Sequence, residues 1–78
     1  MERIIEEELK AHLMDSDEAF RRLVDQHSEY DRQLQALEGR ARLSDAEQME
    51  EVRLKKLKLR AKDQMREILA RHKAQQAV

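Results

Sequence analysis

A single glycine and no proline interrupt these 78 residues, so the chain has one place, Gly39, where a helical backbone is invited to stop. On either side of it the apolar residues recur at helical spacing. Phe20, Leu23, His27, Tyr30, Leu34 and Leu37 step by three and four, which puts one seam down one side of a helix over about 16–38. Beyond Gly39, Ala46, Leu54, Leu57, Ala61, Met65, Ile68, Leu69 and His72 form a second stripe on a helix over about 45–73. Residues 39–44 are then a turn ending in Ser44-Asp45-Ala46-Glu47, an S-x-x-E capping box, with Gly39 suited to a left-handed C-cap. Connections of this length join antiparallel neighbours. The expected fold is all-α: an antiparallel two-helix hairpin, coiled-coil-like, with a short N-terminal helix or extension.

Folding back symmetrically across the turn makes facing positions sum to about 83, given the even rise of two helices. That register sets Leu37 near Ala46, Leu34 near Met49, Tyr30 near Leu54, His27 near Leu57, Leu23 near Ala61 and Phe20 near Met65. The second helix, at about 42 Å, outruns the first, at about 30 Å, by about two turns. Residues 1–14, with Ile4, Ile5, Leu9 and Leu13, read as a short amphipathic helix whose Leu13 and Met14 can cover Ile68 and Leu69. Asp15 or Ser16 is the expected N-cap between them, with Glu18 completing a capping box on Asp15. Residues 74–78 are expected to be a frayed tail, so 1–78 reads as one helical-hairpin domain.

Composition narrows the function classes. Charged residues make up 42% of the chain and only two residues are aromatic, as in long helices rather than sheets. With no cysteine there is no disulfide framework, thiolate metal site or cysteine nucleophile, which suits a reducing cytoplasm. The N-terminal stretch has no basic leader and no long apolar run follows, so neither export nor a membrane span is expected. The polar face of the first helix is acidic at Glu6, Glu7 and Glu8, the wrong sign for lying on a membrane. A chain this short buries a modest core, so a homo-oligomer, dimer or higher, is expected.

Net charge is −1, yet residues 1–38 carry eleven acids against five bases and residues 45–78 nine bases against six acids. The halves therefore attract one another when folded together. The run from Arg53 to Lys62 holds Lys55, Lys56, Lys58, Arg60 and Lys62 without an acid. It is a candidate phosphate-binding patch, but no aromatic stacks beside it, and Asp25, Glu29 and Asp31 are brought alongside. Cross-helix ion pairing is the favoured reading, with nucleic acid the alternative. Val52 and Leu59, with Met49 nearby, lie roughly opposite the stripe and are the candidate surface for the 2–14 helix, a second copy or an unknown protein partner.

His27 and Asp31, four residues apart, are a candidate structural polar pair within the seam. Two ligands make a poor metal site, and His12 with His72 adds only a weak joint one. Asp63 with Glu67 and the Glu6–Glu8 cluster imply no cleft in which a carboxyl could be tuned for acid–base work. No catalytic residue, metal or cofactor is expected, and the chain is not expected to be an enzyme.

These residues resemble the YdcH-like family of small bacterial proteins of unknown function. The likeness is carried by Phe20-x-x-Leu23-x-x-x-His27-x-x-x-Asp31, by Leu37-Glu38 and the acid-capped turn, then by Leu54-Lys55-Lys56-x-Lys58-Leu59-x-x-Lys62-Asp63 and Ile68-Leu69, over about residues 16–70. The family usually has leucine at the position of Tyr30, and a polar residue and a leucine at those of Leu57 and Ala61. The resemblance implies an antiparallel helical hairpin that self-associates, with no established activity, in which His27, Asp31 and the lysine-rich block matter.

Overall fold

In a computed structural model the described residues, 2–76, form three helices and no strand: α1 (Glu2–Ser16), α2 (Glu18–Glu38) and α3 (Asp45–Gln76). Side chains are described from Glu7 to Gln75, so the expectations placed on the side chains of Ile4, Ile5 and Glu6, and on residues 77–78, lie outside the described residues. α3 continues as helix to Gln76, through the first part of the tail expected to fray.

One residue separates α1 from α2. Asp17 is extended, at φ −118° and ψ 104°, and its carboxylate accepts a 3.0 Å hydrogen bond from the Phe20 backbone N–H. Asp17 is therefore the N-cap, rather than Asp15 or Ser16. The Ser16 hydroxyl is already engaged, donating back to the His12 carbonyl at 2.8 Å, while the Asp17 N–H donates to the Leu13 carbonyl. α1 thus closes as a separate helix and α2 opens within the same five residues, with Phe20 on the third position of α2, pointing inward.

At the other end Gly39 is right-handed, at φ −76° and ψ −8°, and no described residue has a positive φ. The left-handed cap does not form. The last turn tightens instead, Gly39 N–H reaching the Gln35 carbonyl and Arg40 N–H the Leu37 carbonyl. A Cβ at position 39 would stand 3.3 Å from the Gln35 carbonyl oxygen, so the position asks for room rather than handedness. The capping box that opens α3 is reciprocal: Glu47 N–H donates to the Ser44 hydroxyl at 3.1 Å and Ser44 N–H to the Glu47 carboxylate at 3.0 Å. Arg40 also pairs with Glu47, tying the loop to that first turn.

α3 lies alongside α2, and two ion pairs give the alignment. Asp31 meets Lys58, and Asp17 Oδ2 lies 3.9 Å from His72 Nε2, so partners rise along α2 as they fall along α3 and each pair sums to 89. This corrects the symmetric count of 83 by six residues, about two seam steps. Phe20 meets Ile68 and Leu69 rather than Met65 alone, and Leu34 comes level with Leu54 rather than Met49. Ala46 and Met49, assigned to the seam by that count, are exposed. The physical reason lies in the linker. Residues 42–44 make no turn, and the first turn of α3 satisfies its backbone through Ser44, Glu47 and Arg40, so α3 overshoots the end of α2 before meeting it.

α1 packs on both other helices where α3 overhangs the start of α2. Leu9, Leu13, Phe20, Ile68 and Leu69 form one buried cluster, with Met14, Leu23, Val24 and Met65 against it. Beyond α1, the seam is a two-helix contact in which Leu34 and Leu54 are buried while Tyr30, Leu37 and Leu57 are half-exposed. α3, at about 48 Å, sets the 52 Å length of the molecule.

Candidate interaction surfaces

Three faces of the α2–α3 pair differ in chemistry. On the outer side of α3, Met49 is 75% exposed, Val52 51% and Leu59, at the edge of this face, 57%. They fall opposite Leu54 and Ala61, which are buried, because steps of three and seven keep one helical face while a step of two crosses to the other.

The basic run fans around α3 rather than forming one patch. Lys58 pairs with Asp31 across the seam, Lys55 lies 3.8 Å from Glu51 on its own helix, and Arg53 pairs with Glu50. Lys56, Arg60 and Lys62 have no carboxylate partner among the described residues. Cross-helix pairing therefore occurs at one of the three acids expected to supply it. Glu29 is taken by Arg32 at 2.7 Å and Gln33 at 3.1 Å on its own helix, because a partner three residues on is nearer than any across the seam. Hydrogen bonds from Arg32 and then Gln33 hold its carboxyl below the usual range. Asp25 makes no ion pair among the described residues.

His27 and Asp31 do not hydrogen-bond to one another. The Asp31 carboxylate accepts from Lys58 on one oxygen and from Gln35 Nε2, at 3.0 Å, on the other. Its carboxyl is held below the ordinary value first by the Lys58 hydrogen bond, against partial desolvation, and then by the charges of Lys58 and His27. A depressed carboxyl stabilises the folded chain above the ordinary pKa, near 4, and that stability is lost as pH falls through the lower folded value. Asp31→Asn is therefore expected to lower the melting temperature slightly at neutral pH and to flatten its decline below about pH 4, followed by circular dichroism. An acid limb as steep as the native one would assign the loss to other carboxylates.

On one flank of the pair lie two shallow furrows that sequence reasoning missed. The larger, about 510 Å³, has Met14, Phe20, Val24, Met65 and Leu69 as its apolar lining and Lys10, His27, Lys62 and Arg66 at its margin. The smaller, about 260 Å³, runs on from His27 and Lys62 to Leu34, Glu38, Lys55, Lys58 and Leu59. The available signal was the recurrence of Lys55, Lys58, Lys62 and Arg66 at steps of three and four, a second periodicity hidden within the basic run.

Among the described residues no three His, Cys, Asp or Glu side chains converge as a metal site, and His12 and His72 acquire no third ligand. Among the described residues no helix is long and apolar enough to cross a membrane.

No curated protein and no solved structure matches the chain. A family model described as a protein of unknown function, DUF465, matches residues 20–69, which takes in the seam of α2, the loop, the basic run and the buried Ile68 and Leu69. The chain belongs to this DUF465 family, as the YdcH-like proteins do.

Proposed function

We propose that the chain is a non-enzymatic interaction module, an antiparallel helical hairpin of α2 and α3 capped by α1, that self-associates into a dimer or larger homo-oligomer. The observation that carries this is the outward face of α3, where Met49, Val52 and Leu59 stand in water on a helix whose other side is already packed. A second copy laid along that face withdraws the three side chains from solvent and adds to a core too small to stabilise the chain strongly by itself. The absence of cysteine suits work in a reducing cytoplasm. Sedimentation equilibrium is expected to give a dimer or larger species that dissociates in Val52→Asp with Leu59→Asp, helicity unchanged. A native chain that stays monomeric at every concentration overturns this reading.

A second reading, an RNA-binding accessory protein using Lys55, Lys56, Lys58, Arg60 and Lys62, draws support from the unmatched Lys56, Arg60 and Lys62. It requires RNA affinity that falls steeply with salt and that disappears when Lys56 and Arg60 are both replaced by glutamate.

A further inference from the structure

The two furrows lie end to end along α2 and α3 and share His27 and Lys62, the larger being bounded also by Lys10 and Met14 of α1. Their α3 margin is a ladder of cations, Lys55, Lys58, Lys62 and Arg66, over about 16 Å of helix. Asp31 meets Lys58 and Glu51 lies by Lys55, whereas Lys62 and Arg66 have no carboxylate among the described residues. The acids that approach from the opposite margin are Asp31 and Glu38, both on α2. The furrow is thus charged asymmetrically, basic along α3 and weakly acidic along the far part of α2.

α1 shows what this pair of helices accepts. It lays Leu9 and Leu13 against Phe20, Ile68 and Leu69, and where it does so the core is shut, Leu13 being 0% and Phe20 2% exposed. At 15 residues, about 22 Å, it is less than half as long as α3 and meets it at Met65, Ile68 and Leu69. Val24 and His27, beside α1, and Tyr30 and Leu37, farther along the seam, remain half-exposed.

We infer that this furrow docks a second amphipathic helix, supplied by a partner protein and acidic along one flank. Its apolar residues, at steps of three and four, lie on Val24, Met65 and the seam beside Leu34, and its Glu or Asp residues at the same steps meet Lys62, Arg66 and Lys55. Apolar burial supplies the affinity, and the one-sided charge fixes which way the helix lies. The inference rests on the interaction-module reading but uses a different face from Met49 and Val52, Leu59 lying at the edge between the two.

The test is fluorescence anisotropy of the native chain with a labelled synthetic helix carrying leucines at i, i+3/i+4 and i+7 and glutamates along one flank. A scrambled peptide, a lysine-for-glutamate version and a single-stranded RNA are compared with it. Saturable binding of the acidic helix, roughly tenfold or more tighter than either control peptide, is expected, with a loss of similar size in Lys62→Glu with Arg66→Glu. Circular dichroism checks that this variant stays helical, and amide shifts at Val24, His27 and Met65 of the native chain locate the bound helix independently. Equal binding of the scrambled peptide, binding unchanged in the double variant, or RNA binding through the same two cations in place of the peptide overturns the inference. Val52→Asp separates the two readings. Peptide binding kept while the oligomer is lost supports both faces, and an intact native oligomer that binds no peptide sinks the furrow alone.

Discussion

Replacing Phe20 by alanine is expected to lower stability by about 3–5 kcal/mol, close to the whole stability of a chain this size. The ring is 2% exposed and stands where all three helices meet, against Leu9 and Leu13 of α1 and Ile68 and Leu69 of α3. Its removal leaves a void that only Met14 and Met65, the flexible side chains beside it, can partly fill. The backbone is not at issue: alanine keeps the N–H that donates to Asp17, so the N-cap survives and the loss is packing alone. Thermal unfolding followed at 222 nm should shift down by at least about 12 °C at matched protomer concentration, and amides of α1 should lose exchange protection together with the end of α3. A change below about 1 kcal/mol would mean that α1 does not share a core with the other two helices.

Helix phase was legible in the sequence because period alone determines which residues share a face. The stripes through Phe20, Leu34, Leu54, Ala61 and Ile68 are the buried residues, and Val52 and Leu59 stand out in water where a step of seven places them. Register was not legible, because both stripes repeat every three or four residues and coincide again after sliding by one or two steps. What decides between the alignments is the path of residues 42–44 and the self-contained first turn of α3, and a count through the linker contains neither. The caps divide in the same way. Ser44 and Glu47 form their box because both partners are local. At the α1–α2 break three acceptors stand in a row, and the choice of Asp17 follows from Ser16 bonding backward to His12, which depends on where α1 ends.

Of the candidate groups, His27 and Asp31 were legible as neighbours but not as strangers. Four-residue spacing brings them together, yet Asp31 is claimed across the seam by Lys58, whose approach depends on the register. The furrow escaped notice for a related reason. Lys55, Lys58, Lys62 and Arg66 read as part of a general basic run until α2 is laid against them, when they become one margin of a cleft while Lys56 and Arg60 turn elsewhere. Charge signs are written in the sequence, whereas the surface on which they collect is written only in the packing.

The second large effect is expected at Leu54, 1% exposed in the half of the seam that α1 does not reach. Leu54→Ala should lower stability by about 2–4 kcal/mol in urea denaturation, less than Phe20→Ala because two helices can close on a void more readily than three. The same residue discriminates between the alignments. With facing positions at 89, Leu54 comes level with Leu34, itself 4% exposed, and a double-mutant cycle of Leu34→Val with Leu54→Val should show a coupling of at least about 0.5 kcal/mol. The alignment at 83 sets Leu34 beside Met49, which is 75% exposed, and the cycle of Leu34→Val with Met49→Ala should show none. Coupling in the second cycle and its absence in the first would move α3 back by six residues, separating Asp31 from Lys58 and removing the cation ladder from the furrow.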